Sequence, residues 1–236
     1  MKQLHEIQLQ ILNKLLFSQS LPYSKLKPDV EMENNKFSFH LNELVDSDLV
    51  SKDESGYRLT TKGKEYANQM DTGTVTIMKQ AKISAWVCPT QGEGADKQYL
   101  IYTRLKQPFY GAQGFMSGKV QYGEFASEAA EREMMEETGL KGEPTLVGIR
   151  HYVVIDKLTG KVVEDKFMYM FIAHNPTGEL QQSSEGKYEW VKKSEFKEKV
   201  TNHFQSFEEF LHDIHWIDNF KGDLFFEEKM HFTDKF

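Results

Sequence analysis

Apolar positions in residues 1–71 recur at helical spacing in two separate stretches. Leu4, Ile7, Ile11 and Leu15 lie about a turn apart, with Leu12 and Leu16 widening the stripe, which predicts an amphipathic helix. Phe37, His40, Leu41, Leu44 and Val45 follow the i, i+3, i+4, i+7, i+8 pattern of a second buried helical face. Between them Pro22 and Pro28 bracket a short connection or helix. Residues 49–52 and 57–60 flank Asp53-Glu54-Ser55-Gly56, whose turn chemistry predicts a β-hairpin. Thr61 is placed to cap a last helix over residues 62–70.

The pattern changes near residues 70–74, where β-branched residues begin. We therefore expect two domains, 1–71 and 74–236. In the second, strands are expected over 77–87, 98–104, 145–155, 165–174 and 188–191, and a helix over 126–138. Leu158-Thr159-Gly160-Lys161 suits a hairpin turn. Helical spacing returns over 204–216, at Phe207, Phe210, Leu211 and Ile214. The last twenty residues are rich in aromatics and are expected to pack on the domain or on a partner. The expected class is α/β (α+β): a helical first part, then a mixed α/β domain.

Composition narrows the function. With 39% hydrophobic and 28% charged residues, the chain can bury a core. The net charge is −7, shared as −2 over residues 1–71 and −5 over the rest. Nucleic-acid affinity comes largely from Lys and Arg on phosphates, so DNA is a partner the balance does not favour. Cys88 is the single cysteine, so no intramolecular disulfide forms. No run approaches the roughly 20 apolar residues of a membrane span, and the N-terminus lacks a signal-peptide pattern. A soluble cytoplasmic protein without membrane contact is expected.

Candidate chemistry concentrates in residues 118–140, GKVQYGEFASEAAEREMMEETGL. Glu133, Glu136 and Glu137 stand at i, i+3 and i+4, so their carboxylates share one helix face. Such carboxylates repel unless a counter-charge is supplied, and hard divalent cations take oxygen ligands. Arg132 adjoins them and can fix a carboxylate in place. Gly118 and Gly123 permit tight backbone before the helix, and Gly139 suits the left-handed residue that ends it. The scattered histidines, including His212 and His215, form no ligand set and read as structural.

The spacing resembles the Nudix box: Gly, five residues, Glu, seven residues, then Arg-Glu-apolar-any-Glu-Glu-any-Gly-apolar. Gly118, Glu124, Arg132, Glu133, Met134, Glu136, Glu137, Gly139 and Leu140 fill every fixed position. The preceding YLIYTRLKQPFYGAQGFMSGK and the later Trp190 strand are also similar to the family, and Ser117 departs from a second glycine common before the box. Membership implies an α/β/α sandwich on a mixed sheet and Mg²⁺- or Mn²⁺-dependent hydrolysis of a nucleoside triphosphate or a nucleoside diphosphate linked to another group. It implies that Glu136, Glu137 and the Gly118 carbonyl ligate metal, that Glu133 is a ligand or the base, and that Arg132 orients the carboxylates with Glu124. Glu185, before the tryptophan strand, is the candidate for a further ligand, ahead of Glu164 and Glu179. Arg104 is the candidate phosphate contact, while Phe109, Tyr110 and Phe115 read as packing rather than base-stacking residues.

Residues 37–50 with 56–67 resemble the recognition helix, wing and following helix of winged helix-turn-helix regulators. The outward positions Lys36, Ser38, Asn42, Glu43 and Asp46 carry one base and two acids, a face that repels a duplex. The alternative function is a nucleotide-sensing regulator that binds DNA through this part. The complete box favours the hydrolase acting on a small nucleotide. The relatives leave a homodimer open.

Overall fold

A computed structural model describes residues 4–27 and 32–234. The chain divides into two units, Met1–Lys79 and Gln80–Phe236.

In the first unit α1 (Glu6–Leu16), α2 (Tyr23–Leu26) and α3 (Asn34–Asp46) precede a hairpin of β1 (Val50–Asp53) and β2 (Gly56–Leu59). Then come α4 (Thr61–Ala67) and a small pair, β3 (Met70–Asp71) with β4 (Thr76–Ile77). The periodic residues bury as expected: Ile7, Ile11, Leu12 and Leu15 of α1 meet Phe37, Leu41 and Leu44 of α3 in one core. Thr60, not Thr61, caps α4, its Oγ1 accepting from the Gly63 amide at 2.9 Å. That helix stops at Ala67, short of the expected 70, because Met70 and Asp71 enter the β3–β4 pair. Glu43 does not simply face outward: it accepts from Gln8 of α1 at 3.2 Å. Of the two bracketing prolines, Pro28 lies outside the described residues.

The second unit is built on one mixed sheet. Its strands are β5 (Lys82–Gln91), β6 (Gln98–Arg104), β7 (Gln113–Gly114), β8 (Met116–Lys119), β9 (Thr145–Asp156), β10 (Val162–His174), β11 (Gly186–Lys192) and β12 (Phe225–Thr233). The main order is β11-β6-β5-β10-β9-β12, with β7 on β6 and β8 on β5. β10 runs parallel to β5, and β12 parallel to β9; the other pairs are antiparallel. Strand β5 starts five residues later than expected, and residues 78–81 join no strand.

The helices α5 (Ala126–Thr138), α6 (Phe196–Lys199) and α7 (Phe207–Asp218) complete the unit. Helix α5 spans the predicted residues and presses Ala129, Ala130 and Met134 onto Ala85, Val87 and Phe171 of the sheet. Helix α7 lies against the opposite face, where Phe210, Ile214 and Ile217 join Trp86, Tyr152 and Met168. Ser206 and Glu209 form its reciprocal capping box. The sheet is thus sandwiched between α5 and α7, an α/β/α arrangement. The aromatic-rich end of the chain becomes the edge strand β12, whose Phe225 packs into the α7 core.

Candidate active site

The site is organised around α5 and the strand that precedes it. Gly139 ends α5 in the left-handed region at φ 72°, where a side chain would be strained. Gly118 lies in β8, paired with Ala85 of β5, and faces the base of α5. A Cβ there would stand 1.8 Å from the Glu133 carboxyl carbon, so the glycine lets backbone and carboxylate share one space.

Arg132 is the hub of the carboxylates. Its Nε and Nη2 donate to the two oxygens of Glu124 at 2.7 and 3.0 Å, a bidentate pair. Nη1 donates to Glu133 at 2.8 Å and to Glu136 at 3.1 Å, and Nη2 also reaches the Lys119 carbonyl at 3.0 Å. The guanidinium beside it, with the Gln121 amide, holds the Glu124 carboxyl down to about 2.

Glu137 points elsewhere on the same helix face. It accepts a hydrogen bond from the Tyr188 hydroxyl, and burial raises its pKa. The Tyr188 bond opposes that rise, the charge of Glu133 adds to it, and the cations Lys106 and Arg104 pull back. Burial and the Glu137 charge together push the Tyr188 hydroxyl up, so it remains a donor.

Among the described residues no three carboxylate, imidazole or thiol groups already enclose a cation-sized space. Two of the three carboxylates are turned onto Arg132 and the third onto Tyr188. By donor type the set nevertheless suits a hard dication: three carboxylates on one face beside a backbone that only glycine allows so near.

The two remaining sequence candidates lie on the strands across from α5. Glu185, just before β11, pairs with Lys106, and its carbonyl accepts from the Leu105 amide at 2.8 Å. Glu185 belongs to the same neighbourhood as Glu137: its carbonyl accepts from the Tyr102 hydroxyl at 3.2 Å, and Tyr102 stacks on Tyr188, which bonds Glu137. Arg104 is tied down by its own loop: Nε donates to the Pro108 carbonyl at 2.6 Å, Nη2 to the Gln107 carbonyl at 3.3 Å and Nη1 to Tyr102 at 3.3 Å. Phe115 is buried in the core. Phe109 packs on its edge, and Tyr110 is exposed.

Sequence reasoning missed Tyr188, Tyr102 and Lys106. The tyrosines are register partners on β11 and β6, stacked with ring centroids 5.4 Å apart, and that pairing depends on the strand register. It also missed the open cavity on the α7 side of the sheet, of about 110 Å³. Ser117, next to the box glycine, lines it, as do Trp86, Phe115, Phe204, Lys166 and the Arg150–Asp213 pair. Lys166 is partly buried there, and burial lowers its pKa against the raising effect of Glu164.

The NUDIX domain family matches residues 78–213, and a domain of unknown function, DUF7347, matches residues 4–70. Among solved structures, a mutator MutT protein from Bacillus halodurans is 26% identical over 66% of this chain and 93% of its own, with a TM-score of 0.51. The Nudix domain of Shewanella oneidensis NrtR, solved with ADP-ribose, is 14% identical over 67% and 97%, with a TM-score of 0.49. The family match spans more than half of the chain, and its box residues are the ones gathered around Arg132; this chain belongs to the Nudix family.

Proposed function

We propose that the chain hydrolyses a phosphoanhydride bond in a small nucleotide, either a nucleoside triphosphate or a nucleoside diphosphate linked to another group. The observation that carries this reading is the carboxylate face of α5, clamped by Arg132 and set against Gly118. Glu133, Glu136, Glu137 and the Gly118 carbonyl would hold Mg²⁺ or Mn²⁺, with Glu185 as a further donor from the facing loop. A divalent cation bound there supplies charge neutralisation on the phosphates and activation of water.

The protein's own groups have separable roles. Arg132 keeps Glu133 and Glu136 from swinging apart while leaving each carboxylate further lone pairs for a ligand. Glu133 serves either as a metal ligand or as the group that accepts the proton of an attacking water, with one oxygen left unengaged by Arg132. Tyr188 fixes Glu137 from the sheet side. Lys106 supplies positive charge at the rim, where a polyphosphate would enter. Arg104 acts chiefly by shaping the 105–108 loop, since its donors already serve that loop's carbonyls.

The cavity beside Ser117 is the place for the nucleoside. Its aromatic walls suit a base, and the Lys166 ammonium and the Arg150–Asp213 pair offer polar contacts to its edge. The test is incubation of the purified chain with Mg²⁺ and a panel of nucleoside triphosphates, dinucleoside polyphosphates and nucleotide sugars, with products separated and identified. Cleavage within the phosphate chain of one class supports the reading. Failure to cleave any member, by protein shown to be folded, overturns it.

A further inference from the structure

Helix α5 covers only part of its side of the sheet. The rest is apolar. On β12 the side chains alternate, and the outward set carries Phe226, Met230 and Phe232, which are 62%, 59% and 52% exposed. Their register partners on β9 are Ile149, Val153 and Ile155. One row further in, His151 of β9 pairs with Phe167 of β10, and Phe167 with Ile83 of β5, itself 51% exposed. None of these apolar side chains belongs to any of the three hydrophobic cores, whereas the alternate residues of the same strands do.

Two properties indicate what covers this face. The first is area. At about 150–250 Å² per large aromatic side chain, the most exposed of these residues alone present roughly 500 Å² of apolar surface. With the half-buried β9 and β10 residues the face approaches the roughly 800 Å² per partner of a stable interface. The second is charge. The ionic groups inside the patch are few and gathered on one imidazole: His151 Nε2 stands 2.9 Å from Asp165, and Nδ1 stands 3.5 Å from Glu228. A nucleic acid finds two carboxylates and no lysine or arginine among them. An identical face, apolar around this small cluster, is the matching surface, and an isologous contact is self-complementary.

We infer that the uncovered β12-β9-β10 face is a dimer interface, on which a second copy of this chain packs face to face so that the two sheets form a sandwich. Packed sheets lie about 10 Å apart with their inner side chains interdigitated. Phe226, Met230 and Phe232 would then be buried between the copies. This inference stands apart from the catalytic reading, since it uses none of the box residues.

The experiment is the molar mass of the full chain in solution, by light scattering and sedimentation from low micromolar to about 100 μM. The expected result is twice the 27.5 kDa chain mass. The double substitution Phe226→Ser with Met230→Ser should weaken association by roughly 100-fold or more, at an unchanged circular dichroism spectrum. Leu158→Ser, an exposed position at a hairpin turn outside the face, should leave the dimer intact. Should the double variant fail to fold, Phe232→Ser alone is read in the same way. A wild type that stays monomeric at the highest concentration overturns the inference, as does a dimer that the β12 changes do not weaken.

Discussion

At the residue scale the site turns on two contacts that allow little substitution. Gly118 and the Glu133 carboxylate occupy adjoining space so closely that a single methyl group collides with the acid. Gly118→Ala should therefore displace Glu133 without removing any functional group. We expect the turnover rate to fall about 10- to 100-fold, the range for losing a group that orients a ligand, while the thermal midpoint moves by little. Steady-state kinetics beside a thermal melt checks both halves. The second contact is the Glu124–Arg132 pair, which has a signature in acid. The folded pKa of Glu124, about 2, lies below its ordinary 4.5, so its ionised form is the one the fold favours. Stability from this pair is complete above about pH 4.5 and is lost as pH falls through about 2. Urea titrations of wild type and Glu124→Gln should differ at neutral pH and converge in strong acid. Curves that stay equally separated down to pH 2 would show that the pair does not bear on stability.

At the element scale, one buried cation joins three elements in the second unit. Arg150 of β9 is 2% exposed, and its guanidinium reaches Asp213 of α7 at 2.5 Å and Glu227 of β12 at 2.5 Å. The pair of carboxylates and the cation stand together or not at all, because removing the cation leaves acids near each other in a partly dry site. Arg150→Met should cost about 3 kcal/mol or more of unfolding free energy, read by denaturant titration, and should loosen α7 and β12 first. Hydrogen exchange confined to those two elements would show the localised form of that loss; an unchanged midpoint would refute the account of the knot. The element scale is also where periodicity succeeded and failed. The helix at 126–138 and the strand at 98–104 end where the pattern places them, because caps and alternation are local. The start of β5 was misplaced because its pairing with the distant β10 decides where it begins, and the end of α4 because the short β3–β4 pair claims Met70 and Asp71.

At the scale of the whole molecule, the box was legible and its surroundings were not. The box could be read because one helix turn fixes the relation of Arg132, Glu133, Glu136 and Glu137. Tyr188 reaches Glu137 only through the pairing of β11 with β6, and the cavity exists only once α7 lies against the sheet. Neither relation has a local sequence signal. The fate of the last residues was open for the same reason: Phe225 to Thr233 became an edge strand by pairing with β9, some eighty residues earlier in the chain.

The central claim is that the carboxylates of α5 serve catalysis. The most direct measurement is kcat/KM of wild type and Glu137→Gln on the nucleotide class that the panel identifies, at saturating Mg²⁺. The account predicts a loss of at least about 100-fold in the variant, with melting temperature preserved or raised, since Glu137 is a partly buried acid that costs stability when charged. Equal kcat/KM in the two proteins would contradict it.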